Sequence, residues 1–179
     1  LLALRRRSLL ERGQRPRTYT LQSMVLEAAT ERLVTRVSQA LLQGSVKPLV
    51  EHALSLAWSP DHVRATQERL LVEPTLTRLQ KAFAEDDHVE QQLLSLLRQL
   101  RDLRFEEQGY APATLLALLR HLRGNLRAID GSRLLIRGAT LQGVEAQDMS
   151  LREAQIEQCS WTEAMGVVDD VAIRADGRM

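Results

Sequence analysis

From Gly124 onward the sequence carries an apolar period of five, and that period most limits what the chain can fold into. Stepping by five from Leu126 gives Gly131, Ile136, Leu141, Ala146, Leu151, Ile156 and Trp161, and seven of those eight are apolar. The series two positions earlier runs Gly124, Ile129, Leu134, Ala139, Val144, Met149, Ala154 and Cys159, again seven of eight. Fourteen in sixteen is twice the seven that an apolar content of 44% supplies. A five-residue step walks around a helix instead of staying on one face, so this segment is not an amphipathic helix. A repeat this short marks a solenoid, in which each coil stacks on the next.

The residues before Gly124 follow helical spacing. Leu1 to Glu11 reads as a helix ended by Gly13, and Arg17 to Leu21 as a short strand. Leu26, Ala29, Leu33, Val37 and Ala40 predict a helix over 23–42, with Ser23 as its cap and Gly44 as its stop. A short helix is expected over 47–58, starting near Pro48, and two more over 60–72 and 74–84, separated by Pro74. Asp86-Asp87 opens the next helix, where Asp87 with Glu90 is expected to form a capping box. Its stripe is Val89, Leu93, Leu96, Leu97, Leu100 and Leu103. Residues 105–111 read as a loop, and Pro112 to Gly124 as a last helix. The expected fold class is mainly α, a bundle of short helices, followed by the solenoid.

Composition narrows the function. Leucine occurs 33 times in 179 residues while aromatics are 3%, so platforms for stacking bases are scarce. The single Cys159 excludes a disulfide framework and a cysteine zinc site, and suits a reducing, cytoplasmic setting. No window approaches the ~18 consecutive apolar residues of a membrane span, and Leu1-Leu2-Ala3-Leu4 is not a signal peptide. The opening reads as a piece of something longer. Charge is uneven. Residues 1–20 carry six Arg and one Glu, whereas residues 124–179 carry six Arg and nine acids.

In order, these segments resemble one architecture. Ala139…Leu141 and Ala154…Ile156 resemble the pentapeptide-repeat motif, a small residue two places before a central Leu or Phe. Val168 to Met179, with Val171-Ala172-Ile173 and Asp176-Gly177-Arg178, is similar to the opening strand of a WD-repeat propeller. With Arg6-Arg7-Ser8-Leu9-Leu10-Glu11-Arg12-Gly13, Thr20-Leu21-Gln22-Ser23-Met24-Val25-Leu26-Glu27, Gln67-Glu68-Arg69-Leu70 and Glu107-Gln108-Gly109-Tyr110, the chain resembles bacterial STAND-type signalling ATPases with an NB-ARC or NACHT-like motor. Leu122-Arg123-Gly124-Asn125-Leu126-Arg127, Val144-Glu145-Ala146-Gln147-Asp148 and Thr162-Glu163-Ala164 extend the likeness. It implies the end of a winged-helix domain over 1–22, a helical linker over 23–123 and a right-handed pentapeptide β-helix of about two turns over 124–163. A propeller start then occupies 164–179. The inward residues expected of the β-helix are Leu134, Ile136, Ala139, Leu141, Val144, Met149, Leu151, Ala154, Ile156, Cys159 and Trp161.

The resemblance also implies a role. The parent would bind ATP or ADP in an upstream motor, assemble, and sense through its propeller. The motor's phosphate loop, G-x-x-x-x-G-K-[ST], is absent here, and the only lysines are Lys47 and Lys81. No catalytic residue, cofactor or metal is therefore expected in this chain. Its partners would be the motor and the propeller of the same polypeptide, with no membrane. His52, His62, His88 and His121 are scattered without metal spacing, and no serine sits in G-x-S-x-G. Asp86-Asp87 and Asp169-Asp170 are explained as a helix start and a loop. Arg5, Arg6, Arg7 and Arg12 are candidates for nucleic-acid or intramolecular contact. The leucines among them favour the intramolecular role, and a DNA-binding regulator is the alternative.

Overall fold

The computed structural model describes residues 10–12 and 19–160. Strands β1 (Leu10–Arg12) and β2 (Tyr19–Leu21) pair antiparallel, Leu10 opposite Leu21 and Arg12 opposite Tyr19. The strand expected over 17–21 is present at 19–21, but Leu10 and Glu11, expected to close a helix, are extended. Helical spacing reports local preference, and pairing with a strand further along the chain overrides it.

Helix α1 (Ser23–Leu42) buries Val34, Val37, Ser38 and Leu41. Its end is a Schellman motif: Ser45 N–H donates to Ala40 O at 2.8 Å and Gly44 N–H to Leu41 O at 3.1 Å, with Gly44 at φ +72°. Gly44 is thus the stop that the sequence suggests. Ser23 is not the cap; that position is Gln22, and no side chain caps the helix. Helix α2 (Lys47–Glu51) is shorter than the expected 47–58. The chain leaves it in extended form at His52, and Ala57 N–H then donates to Gly138 O at 2.9 Å.

Helix α3 (Asp61–Gln67) does not break before Pro74. One π-helical turn, Glu68–Val72, carries it into α4 (Glu73–Phe83), with Glu73 N–H bonded to Glu68 O five residues back. Pro74 lacks an N–H and its ring crowds the preceding turn. The wider π turn is what lets the helix run on through it.

Helix α5 (Asp86–Arg101) buries Val89, Leu93, Leu96, Leu97 and Leu100. Leu103, expected in the same stripe, is 43% exposed because the helix ends two residues earlier. The Asp87–Glu90 capping box is absent; Glu85 holds the cap position and no side chain caps the helix. Half of such a box occurs instead in the segment expected to be a loop. Arg104 precedes a single turn, α6 (Phe105–Gln108), and its N–H donates to Glu107 Oε2 at 3.1 Å. The Arg104 guanidinium bonds the same carboxylate and holds Glu107 below the usual carboxylate range. Helix α7 (Ala111–Arg123) begins around Pro112 and stops at Gly124, φ +74°.

Beyond Gly124 the backbone coils so that each residue lies beside the one twenty positions later. Strand β3 (Leu135–Arg137) runs parallel to β4 (Gln155–Glu157), pairing Ile136 with Ile156, and bridges join Asp130 to Ser150 and Thr140 to Ser160. Left-handed φ recurs at every fifth residue: Ala128, Arg133, Gly138, Gly143, Asp148, Glu153 and Gln158. Ala128, Arg133, Gly143, Asp148 and Glu153 are each the third residue of a four-residue turn, the place where a type II turn requires φ above zero, while Gly138 and Gln158 sit at bends just after the strands. Closing bonds include Met149 N–H to Ala146 O at 3.2 Å and Ala154 N–H to Leu151 O at 3.1 Å. The apolar period of five is thus the period of the corners.

Leu126, Ile129, Leu134, Ile136, Ala139 and Leu141 are buried in one core with the leucines of α5 and α7. The mainly helical part and the coil therefore share a hydrophobic centre. Val144, Met149, Leu151, Ala154 and Cys159 are half-buried. Ile156, expected inside, is 40% exposed, since no described residue stacks on the far side of the second coil. Trp161 and residues 162–179 lie outside the described residues, as do Arg5, Arg6 and Arg7.

Candidate functional site

Helices α5, α6 and α7 meet the coil at a shared junction, and Gln108 is its centre. Its side chain is fully buried. Nε2 donates to Leu103 O and to Arg133 O, each at 3.1 Å, and Oε1 accepts from Leu135 N–H at 2.7 Å. One amide thus satisfies backbone groups on both partners. A buried amide is tolerated because its polar atoms are all engaged. The same junction explains why Leu135 is buried although it lies off the five-residue series.

Gly109 positions this glutamine. At φ +53° it takes a conformation that side chains rarely adopt, and an added Cβ would run into the Val50 carbonyl. Tyr110 N–H donates to the same carbonyl at 3.3 Å. The turn therefore closes directly against α2, and that closure aims Gln108 at the coil.

Three further polar links tie the helices to the coil. Arg101 pairs with Asp130, and Arg133 Nη2 donates to Arg101 O at 2.6 Å. Arg120 bridges Glu68 in the π turn, at 2.7 Å, to the carbonyl of Thr140, at 3.4 Å. The Arg137 guanidinium lies 5.8 Å from the centre of the Tyr110 ring and bonds Glu157 at 2.8 Å. Gly138 packs so closely under Trp58 that an added Cβ would lie 2.7 Å from its ring. These contacts hold and orient, and they tie α5, the π turn and α7 to the coil.

The chain is similar to a WD repeat-containing protein. That relative, an uncharacterized WD repeat-containing protein of Nostoc sp. (strain PCC 7120), is 31% identical over 128 residues, 72% of this chain. The match spans 10% of the relative, so this chain corresponds to about a tenth of its length. No protein-family model and no solved structure matches.

The histidines lie apart from one another: His52 beside Glu51 (3.8 Å), His88 beside Glu85 (3.4 Å), and His121 against Ala117 O (2.9 Å). Among the described residues, no three His, Cys, Asp or Glu side chains gather at metal-binding distance. None of the described helices is long and apolar enough to cross a membrane. Cys159 is half-buried, its Sγ donating to Ile136 O at 3.2 Å, and burial pushes its thiol up from the ordinary value. Arg12 lies in β1, while Arg5, Arg6 and Arg7 fall outside the described residues.

Sequence reasoning missed Gln108 as an individual residue, although it names Glu107-Gln108-Gly109-Tyr110 as part of a family likeness. A polar residue between two helices normally reads as a solvated turn. The one local signal was the glycine after it.

Proposed function

We propose that this chain is a non-catalytic connecting and relay region of a cytoplasmic STAND-type signalling ATPase. It would join an upstream nucleotide-switch motor to a downstream WD-repeat sensor. The observation that carries the reading is the junction at Gln108, where helices and coil share buried hydrogen bonds and a continuous core. Two bodies joined in this way move as one, which is what passing on a change of orientation requires.

Other features support the same reading. The twenty-residue register and the left-handed corner at every fifth residue support a short pentapeptide β-helix over 124–163. The WD repeat-containing relative, of which this chain spans a tenth, supports a place inside a longer repeat protein. In the proposal, residues 1–22 end a winged helix, 23–123 form the linker and 164–179 open the propeller. ATP or ADP binds in the motor and not here, because the phosphate loop is absent from the sequence.

Calorimetry tests the non-catalytic assignment. ATP or ADP titrated into the whole chain gives no saturable heat. A micromolar site, about −8 kcal/mol of binding, refutes it. Retention on DNA that disappears when Arg5, Arg6 and Arg7 are changed together to Ser would favour a nucleic-acid binder instead.

A further inference from the structure

We propose that the groove between α5 and the first coil is a docking site for an acidic peptide segment bearing an aliphatic side chain. The groove encloses about 430 Å³ and is walled by α5, the end of α7 and residues 127–130. Arg98, Arg101, Arg123 and Arg127 line it, against two acids, Glu90 and Asp130. Both acids are already engaged, Asp130 by Arg101 and Glu90 by Arg123 at 3.6 Å. Arg127 has only a distant partner, Glu145 at 3.7 Å, with both side chains more than half exposed. Arg98 has no acidic side chain within 4 Å among the described residues and stands exposed on the groove wall. The lining thus carries two more positive than negative charges.

The floor decides which anion fits. Leu94, Leu97 and Ile129 form it, so an aliphatic side chain can bury there while carboxylates on either side meet Arg98 and Arg127. A nucleic-acid strand fits poorly. Among the described residues no aromatic side chain lines the groove for a base to stack on, and Glu90 and Asp130 would face its phosphates. The site is independent of the relay reading, because it rests on this groove alone.

The test uses the whole chain and a fluorescein-labelled peptide of Asp-Glu-Leu repeated three times, followed by anisotropy. The probe binds saturably and weakens as salt rises, as exposed charge pairs require. Arg98→Glu with Arg127→Glu weakens it by about tenfold or more, roughly the loss of two charge-assisted contacts. Arg36→Glu, an exposed arginine on α1 outside the groove, leaves it within about twofold. Both altered residues are on the surface, and unchanged circular dichroism shows that the double variant folds. A milder pair, Arg98→Gln with Arg127→Gln, gives a smaller loss in the same direction. No saturable binding, equal binding of a Lys-Gln-Leu repeat, an unaffected double variant, or tighter binding of a short DNA duplex overturns the proposal.

Discussion

Replacing Gln108 by Met removes the amide while nearly keeping its volume, so the loss reads out hydrogen bonding rather than a cavity. Three backbone groups lose their partner, but not equally. Leu135 N–H belongs to a residue only 3% exposed, and water cannot replace Oε1 there. An orphaned buried donor costs about 1–3 kcal/mol. The carbonyls of Leu103 and Arg133 sit in part-buried bonds at exposed residues, so water compensates in part and each loses about 0.5 kcal/mol, the low end of a net hydrogen bond. The sum is about 2–4 kcal/mol, a large part of the ~5–15 kcal/mol that holds a domain. Urea unfolding followed by circular dichroism should show that loss, and the Leu135 amide should lose its exchange protection. Gln108→Glu adds a sign test. Its carboxylate would face the carbonyls of Leu103 and Arg133, so the folded pKa rises above the unfolded one. Stability is then present below the ordinary carboxylate range and is lost as pH rises, so this variant is more stable at about pH 4 than at about pH 7 relative to wild type. A loss under about 1 kcal/mol for Gln108→Met, or an unchanged Leu135 amide, refutes the reasoning.

Leu141→Ala should destabilise the coil by about 2–5 kcal/mol and raise protease cleavage between residues 125 and 160, because Leu141 is 8% exposed in the shared core. Gln142→Ala, one position along and partly exposed, should change stability by less than about 0.5 kcal/mol. Gly138→Ala should loosen the same junction, since its new Cβ meets the Trp58 ring at 2.7 Å and its φ is +75°; a drop in melting temperature with the helical signal retained checks this. Cys159 should react slowly with a thiol reagent at neutral pH because its pKa is raised, and faster in Leu141→Ala, where the coil opens.

The coil was legible because its apolar residues recur at every corner, and burial forces that recurrence on the sequence. Its corners were not. Ala128, Arg133, Asp148, Glu153 and Gln158 hold left-handed φ without being glycine, so composition gave no turn signal there. The bonds between coils hold these residues in that conformation, and such bonds are set by a residue twenty places away. Ile156 fits the period but not the burial, because burial depends on what stacks below and the period does not report it. The helices at Gly44 and Gly124 end where glycine allows. The π turn at Glu68–Val72 was illegible, because a proline in a helical run signals a break and only neighbouring packing favours a detour. At the junction the apolar half was readable, while Gln108 fell in a segment that reads as a loop and the arginines of α5 and α7 carry no local sign of their partners. What distinguishes them is their partners, which come from the coil.

In the proposed relay, the Gln108 junction transmits between the two ends. Under the proposed relay role, nucleotide turnover by the proposed STAND-type parent should change when its segment downstream of the coil is deleted. Gln108→Met should abolish that dependence while nucleotide binding stays unchanged. If turnover in the Gln108→Met protein still responds to the deletion as the unaltered protein does, the junction is not the relay.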